Sequence, residues 1–338
     1  MLHSILRLIL PTKIFEYLRR KKYRFDLLRN FKKAYKYDMK KYVKYSDSFG
    51  SDTAQKLIGK IMREYHVVEK GLTMPDTRLG FGKDLLLSLV DNCAQYIQKY
   101  GENEEQLRHA IGVIWDYENF HRNQNFKLNS AIAASIGKLK SIVGSIPVCY
   151  QREINIDDYF QNVNSEFSQF AKSRSSVRNY STENISIDTL LSALELARTA
   201  PSACNRQCWR SYVLEDKEKI NSILTIQGGN RGFGHLANKL IVISAEVGVF
   251  TSVGERNEVF IDGGIYVMNV LYALHYHKIG ACILNCSNSI EKDLRLRAIC
   301  RIKDSEVFIA MISCGIPPPN FKIASSLRYE LATTNTIV

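Results

Sequence analysis

The stretch that decides the fold is residues 174–210, RSSVRNYSTENISIDTLLSALELARTAPSACNRQCWR. It begins with two arginines and two serines within five positions and ends in a polar turn after Pro201. Between these ends, apolar residues recur at helical spacing, which predicts a helix over residues 187–199. Residues 209–214 are typical of a strand. A cationic start, a helix, a turn and a strand therefore follow one another here.

The two ends of this stretch carry the chemistry of a binding site. Guanidinium groups bind phosphate bidentately and keep their charge, so the start of the stretch can hold a dianionic phosphate and an electron-rich ring edge. The groups concerned belong to Arg174, Ser175, Ser176 and Arg178. Asn205 can donate and accept at once, as an amide edge requires. These residues together predict a flat, phosphorylated, amide-bearing ligand, and FMN fits that description.

These residues resemble the signatures of the FMN-dependent nitroreductases. An Arg-x-Ser-x-Arg/Lys start and a Pro-Ser-x-x-Asn-x-Gln turn match the two ends of residues 174–210. Three further signatures follow in the right order, an Asp-Gly-Gly helix at 262–274, a glycine-containing strand at 279–286 and a Gly-x-Pro at 315–317. The resemblance covers about half of the chain. It implies an α+β fold with a central mixed sheet flanked by helices.

The resemblance also implies where FMN would lie. Arg174 and Ser176 would meet the phosphate, and Arg178 would lie near the N1/O2 edge. Asn205 would bond the pyrimidine edge, and the backbone around Leu284 to Cys286 would approach N5. No side-chain nucleophile is implied, because the redox chemistry belongs to the cofactor. The full set of expected cofactor-binding residues is Arg174, Ser175, Ser176, Arg178, Pro201, Ser202, Asn205, Gln207, Leu284, Asn285, Cys286, Lys322 and Arg328.

The function implied by this resemblance is an FMN-dependent oxidoreductase. NAD(P)H would give hydride and leave, and a small-molecule electron acceptor would then use the same cleft. A homodimer with FMN at the subunit interface is also implied. Two alternatives stay open: other flavin chemistry, such as dehydrogenation, dehalogenation or flavin fragmentation, and an FMN-holding, membrane-peripheral interaction protein with little turnover.

The sequence departs from the family pattern near the flavin and in the segment that would cover it. Cys208 stands where the family has proline, and Asn285-Cys286 stands where a glycine pair is common. The stretch 240–262 is too short for the helical excursion that covers the flavin in many relatives. A helix over 52–72, with Ser51 or Asp52 as N-cap, and the turn after it are therefore candidates for the cover. The expected lid residues are His66, Glu69, Lys70 and Arg78; the alternative is a charged helix end beside a structural loop.

The rest of the chain predicts two domains. Further helical patterns occupy residues 85–100, 104–122 and 130–143, and a polar stretch follows at 150–170. We therefore expect an all-α N-terminal domain over 1–165 and the nitroreductase-like domain over 166–338.

The positive charge is concentrated in residues 1–45, which hold fourteen Lys and Arg against three acidic residues in a chain of net charge +12. Aromatic and aliphatic residues among these cations are typical of an interfacial helix on anionic lipid; the alternative is a solvated helix packed by its apolar stripe. Nucleic acid is not an expected partner, since the remaining chain is nearly neutral and shows no binding motif. The apolar run near the start is about nine residues, too short to span a bilayer. The expected location is the cytoplasm, including its membrane face.

The eight cysteines show no disulfide framework and are expected to be reduced thiols. Two pairs have Cys-x3-Cys spacing, but neither has the partners of a zinc site, so no metal is expected. Cys208 and Cys286 are either redox-sensitive thiols near the flavin or buried small hydrophobes.

Overall fold

The computed structural model describes residues 11–338, which form two compact units. One unit holds the described residues up to Gly50 together with Phe250–Asn257. The other holds Ser51–Val249 and Glu258–Val338. The apolar run predicted at residues 2–10 lies outside the described residues.

The elements of the described residues follow in chain order. The helices are α1 (Thr12–Tyr45), α2 (Ala54–Leu72), α3 (Lys83–Tyr100), α4 (Glu105–Asn123), α5 (Ser130–Ile142), α6 (Ile156–Phe160), α7 (Phe167–Ser173), α8 (Ile187–Ala197), α9 (Lys217–Gln227), α10 (Glu258–Tyr276), α11 (Ile290–Cys300) and α12 (Leu331–Thr334). The strands are β1 (Arg152–Asn155), β2 (Trp209–Leu214), β3 (Lys239–Glu246), β4 (Gly280–Asn285), β5 (Glu306–Gly315) and β6 (Asn320–Ile323).

The long helix α1 dominates the first unit. It begins directly after Pro11, whose ring fixes φ at a value that suits a helix start. Within this unit Arg256 donates two hydrogen bonds to the Asp38 carboxylate, with Nε–Oδ2 at 2.6 Å and Nη2–Oδ1 at 2.8 Å. Among residues 11–338, no helix combines the length and apolar character that crossing a membrane requires.

In the second unit, helices α2 to α5 pack around a common apolar core, and each lies where the periodicity predicted a helix. The predicted N-cap of α2 was wrong. Thr53, not Ser51 or Asp52, caps the helix, because its Oγ1 accepts a hydrogen bond from the Lys56 backbone N–H at 3.3 Å.

A four-stranded sheet in the order β2-β3-β5-β4 forms the centre of the second unit. Along β3, Leu240 and Val242 face the core that includes α9 and α11, while Ile241 and Ile243 face the core that includes α8 and α10. Both faces are buried, which explains the continuous apolar run in the sequence. The expected α+β class is confirmed. All four pairings among the described strands are antiparallel, three of them in this sheet, so the sheet contains no parallel pair.

A short ribbon of β1 and β6 joins the segment before residue 165 to the C-terminal part of the chain. A second link is made by Glu69 in α2, whose carboxylate accepts from the Ser325 hydroxyl at 2.8 Å and the Ser326 backbone N–H at 3.2 Å. The division at residues 165 and 166 stays a prediction, and these two links cross it.

Candidate functional site

The segment that follows α7 holds the first group of predicted site residues. It runs extended beside β4, where the Val177 backbone N–H donates to the Ala281 carbonyl at 3.0 Å. The Tyr180 hydroxyl fixes the other end of the segment by donating to the Val177 carbonyl at 2.8 Å. Arg178, between them, is only 6% exposed. The backbone therefore directs this guanidinium into the protein rather than into solvent.

Three cations act electrostatically on the Cys282 side chain of β4. Burial raises the pKa of the Cys282 thiol, and the charges of Arg178, Lys70 and Arg174 act in the opposite direction. We call Lys70, Arg174 and Arg178 the cationic cluster. In the part of the chain that the structure describes, no salt bridge pairs any of the three with a carboxylate. The buried Nε of Arg178 has no hydrogen-bond partner either.

Lys70 reaches this cluster from the last turn of α2. Burial lowers the pKa of the Lys70 ammonium, and the charge of Arg178 lowers it further. The neighbouring carboxylate of Glu69 does not compensate these cations, because it is held elsewhere by His109, Ser325 and Ser326. Arg178 is buried, and Lys70 and Arg174 are half-buried. Cations withdrawn from water without a counter-charge are costly, so this arrangement favours an anionic ligand.

A fourth cation, which the sequence analysis missed, lies beside Ser175. Arg152 of β1 donates from Nη2 to the Ser175 Oγ at 3.3 Å. Tyr159 also fixes this serine, since its hydroxyl donates to the Ser175 carbonyl at 2.7 Å. Burial raises the pKa of Tyr159 to about 12, against the opposing effects of its hydrogen bond with Ser175 and the charges of Arg174 and Arg152. No local signal could have identified Arg152, because strand pairing brings it to the site across 23 residues.

The predicted turn at residues 202–207 is strained in a way that is common at functional sites. Cys204, Asn205 and Gln207 have φ values of 51°, 55° and 47°, a region that non-glycine residues rarely adopt. The Asp262 carboxylate supports the turn by accepting from the Ala203 backbone N–H at 3.1 and 3.2 Å. The amide side chains of Asn205 and Gln207 are exposed and lie 3.1 Å apart. Pro201 is exposed and Ser202 half-buried beside them.

The end of β4 offers fewer free groups than expected. Leu284 is buried in the core, and the Asn285 carbonyl accepts a hydrogen bond from Gln227 Nε2 at 3.1 Å. Burial raises the pKa of the Cys286 thiol to about 12 and that of Cys208 to about 11. Cys208 is buried and Cys286 half-buried, which favours the alternative of small hydrophobes; redox sensitivity of either thiol stays a prediction.

The two basic residues expected near the phosphate make contacts outside the cationic cluster. Lys322 of β6 places its Nζ 6.0 Å from the centre of the Phe120 ring. Arg328 is exposed and donates to the Ser326 carbonyl at 2.8 Å. Neither contributes to the cluster around Cys282, because the chain after Pro317 returns to β1 and the N-terminal helices.

The expected lid residues have different roles. Lys70 joins the cationic cluster, while Glu69 is fully buried and His66 bonds to it at 3.4 Å. Arg78 is exposed in the loop after α2. That loop is tied to α4, since the Gly80 backbone N–H donates to His121 Nε2 at 2.9 Å.

The same loop lines a cleft of about 410 Å³ beside the site segment. Its lining includes Thr73 and Met74 from the loop, Asn179 from the residue after Arg178, and Lys322 and Phe120. The cleft provides room for a small molecule beside Asn179, and the loop forms one side of it.

One copy of the chain does not bring all predicted site residues together. The cationic cluster surrounds Cys282, which belongs to the core on the α9 and α11 side of the sheet. The turn at 202–207 is bound to Asp262 of α10, which covers the opposite side. Asn205 and Arg178 are therefore held on different faces of the sheet.

The residues present fit FMN in one respect that geometry can test. The buried and unpartnered Nε of Arg178, among cations that lack a carboxylate, suits an anionic ring edge or phosphate. Across the described part of the chain, no group of three or more His, Cys, Asp or Glu side chains could hold a metal ion.

Part of this chain is similar to known proteins. Residues 171–230 match the family model of the nitroreductase family. The structure is similar to a putative NADH oxidase from Clostridium acetobutylicum, at 24% identity and a TM-score of 0.43, over 50% of this chain and 98% of that one. A putative nitroreductase in complex with FMN from Desulfovibrio desulfuricans is similar at 24% identity and a TM-score of 0.45, over 52% of this chain and 97% of that one. No curated protein matches the chain.

The match to the family model includes both ends of the stretch with which the sequence analysis began. The resemblance to the nitroreductase family is therefore confirmed over residues 171–230. In general terms, this family supports a flavin-dependent oxidoreductase.

Proposed function

We propose that this protein is an FMN-dependent oxidoreductase that takes hydride from NAD(P)H and passes electrons to a small-molecule acceptor in a ping-pong cycle. The observation that carries the proposal is the cationic cluster. Lys70, Arg174 and Arg178 all act electrostatically on Cys282, none of the three forms a salt bridge with a carboxylate of the described residues, and the buried Nε of Arg178 has no hydrogen-bond partner. An anionic, ring-shaped ligand would satisfy both features at once.

In this proposal the chain positions the cofactor and controls charge. Arg174, Ser175 and Arg152 would hold the phosphate, since their polar groups meet beside Tyr159. Arg178 and Lys70 would lie at the electron-rich edge of the ring. FMN, when bound, supplies the hydride chemistry at N5, and the protein supplies orientation, electrostatics and exclusion of water. Donor and acceptor would use the cleft beside Asn179 in turn.

The proposed assembly is a homodimer that shares each site between two copies. The turn at 202–207 and the cationic cluster lie on opposite faces of one sheet, so one copy cannot present both to a single ring. A second copy would bring its Asn205 to the cationic cluster of the first.

The direct test is the anaerobic visible spectrum of the purified protein before and after addition of NADH or NADPH. We expect a flavin band that bleaches on reduction and returns with an electron acceptor. A flavin band that persists with both nicotinamides would exclude the proposed donor. Absence of FMN after reconstitution would overturn the assignment of the cationic cluster.

A matched pair of variants tests the cluster itself. Arg178→Met should reduce FMN affinity by about tenfold to a hundredfold, because a charge-assisted hydrogen bond to the ligand is lost. Arg295→Met removes an exposed arginine of α11 and should leave affinity unchanged. Equal affinities for the two variants would contradict the proposed site.

Mixing experiments test the shared site. Arg178→Met and Asn205→Ala copies, allowed to exchange subunits, should regain FMN binding at one site of each mixed dimer. If both residues served a site within one copy, mixing would restore nothing.

A further inference from the structure

Helix α1 exposes an unusual number of large apolar side chains for a helix so rich in charge. Ile14, Leu18 and Phe25 are 48%, 44% and 65% exposed, and Tyr23 and Tyr42 are exposed by 69% and 70%. The helix contains thirteen Lys and Arg against three acidic residues. A surface of this kind is typical of an interaction site.

The three acidic residues of α1 share one side of the helix. At 3.6 residues per turn, Glu16, Asp26 and Asp38 fall within a sector of about 120°. Each is paired within the unit: Glu16 with Arg19 at 3.0 Å, Asp26 with Arg29 at 3.4 Å, and Asp38 with Arg256. The negative charge of α1 is therefore confined to one side and compensated there.

The opposite side carries cations and apolar side chains without an acid. A sector of about 60° on the side opposite Glu16 contains eight residues, which we call the acid-free face. They are Ile14, Leu18, Lys21, Phe25, Lys32, Lys36, Met39 and Val43. All eight are exposed.

The Asp38–Arg256 pair sets which side of α1 faces outward within its unit. It fixes the acidic side to Phe250–Asn257, the other part of that unit. Asp38 and Arg256 are both partly buried by this contact. The acid-free face points away from it and is left to solvent.

The chemistry of this face distinguishes two anionic partners. Nucleic acid offers phosphates and stacking bases, which match cations and aromatic rings but not the aliphatic side chains of Ile14 and Leu18. An anionic bilayer surface offers headgroups for the lysines and an acyl layer for the aliphatic side chains. The helix is about 50 Å long and can lie along such a surface.

We infer that α1 binds the surface of an anionic lipid bilayer through its acid-free face, as a reversible peripheral contact. The lysines bind headgroups, and Ile14, Leu18 and Phe25 enter the boundary between headgroups and acyl chains. The inference does not depend on the proposed flavin chemistry, because it uses only the first unit.

The test is sedimentation of the full-length protein with vesicles of phosphatidylcholine alone and with about one third phosphatidylglycerol. We expect binding only to the anionic vesicles, weakened by salt. Substituting Lys21, Lys32 and Lys36 by Gln should weaken it by about a hundredfold. The matched control replaces Lys99, Lys138 and Lys292, three exposed lysines of the second unit, and should bind as the wild type does.

A second variant separates lipid from nucleic acid. Replacing Ile14, Leu18 and Phe25 by Ser should abolish vesicle binding, whereas Ile290→Ser with Leu294→Ser, on exposed positions of α11, should not. Circular dichroism checks that the helix persists in each variant. The inference is overturned if neutral vesicles bind equally well, or if the apolar variant retains vesicle binding. It is also overturned if a single-stranded RNA displaces the vesicles and its binding needs only the lysines.

Discussion

The carboxylate of Glu69 is predicted to be a principal link between the N-terminal helices and the C-terminal segment. It is fully buried and accepts hydrogen bonds from Ser325, Ser326 and His109, the last at 2.8 Å. Burial opposes ionisation, but the hydrogen bonds from His109, His66 and Ser325 outweigh it and lower the pKa of Glu69 to about 2.

The substitution Glu69→Gln should lower the free energy of unfolding by about 3 kcal/mol. A pKa lowered from 4.5 to about 2 corresponds to about that value, and breaking a buried ion pair costs a similar ~3–5 kcal/mol. The amide keeps the shape of the side chain but removes its charge, so the loss measures the ionic contribution. Glu195→Gln, at an exposed pair with Arg198, is the control and should cost less than about 0.5 kcal/mol.

The buried pair of Glu69 and His109 also predicts how the free energy of unfolding depends on pH. The lowered pKa of Glu69 stabilises the fold above pH 4.5, and this contribution is lost as pH falls toward 2. Burial alone would lower the pKa of His109, but hydrogen bonds with Cys149 and Glu69 raise it to about 9. That contribution is complete below pH 6.5 and is lost as pH rises through 9. Both contributions are therefore present together between pH 4.5 and 6.5.

Urea unfolding at pH 5.5 and pH 9.5, followed by circular dichroism, measures these effects. The wild type should be less stable at pH 9.5, and Glu69→Gln should show a smaller difference between the two pH values. A variant within about 0.5 kcal/mol of the wild type at pH 5.5 would refute the reasoning, because a buried ion pair cannot be lost at so small a cost.

Two further predictions concern packing and thiol access. Gly71→Ala should lower the free energy of unfolding by about 1–3 kcal/mol, because the added Cβ would lie 2.1 Å from the Phe81 ring. Gly59→Ala on the same helix is the control; its Cβ meets nothing within 4 Å, so it should be neutral or stabilising. The melting temperatures of the two variants measure the difference. Cys204 is exposed and should react at once with a thiol reagent in the native protein. Cys208 is buried, and burial raises its pKa to about 11, so it should react only on unfolding. Early labelling of Cys208 in the native Cys204→Ser variant would contradict this prediction.

Helices and strands could be predicted from the sequence wherever apolar residues recurred at a clear helical or strand spacing. The strand Trp209–Leu214 has its predicted bounds, and the apolar run at 240–243 lies within β3. The N-cap of α2 could not be decided because Ser51, Asp52 and Thr53 all have capping side chains. The pairing of strands depends on contacts between distant residues, so the sequence could not exclude a parallel pair.

The sequence likewise allowed some residues of the candidate site to be predicted but not others. Arg174, Ser175 and Arg178 could be found because they share one short run, and the structure places two of them in the cationic cluster. Arg152 could not be found, since only the β1–β6 pairing brings it to Ser175. Lys322 and Arg328 reach their positions through the path of the chain after β5, and their expected place near the phosphate stays a prediction.

The bond between Glu69 and Ser325 has a consequence for biosynthesis. The two residues are 256 positions apart, so a ribosome adding about 5–20 residues per second needs roughly 13–50 s between them. During that interval α2 to α5 can associate, but their buried carboxylate lacks two of its hydrogen-bond donors. A nascent chain would therefore hold these helices in a weaker assembly until Ser325 and Ser326 are translated, and chains released before that point would be the first candidates for degradation.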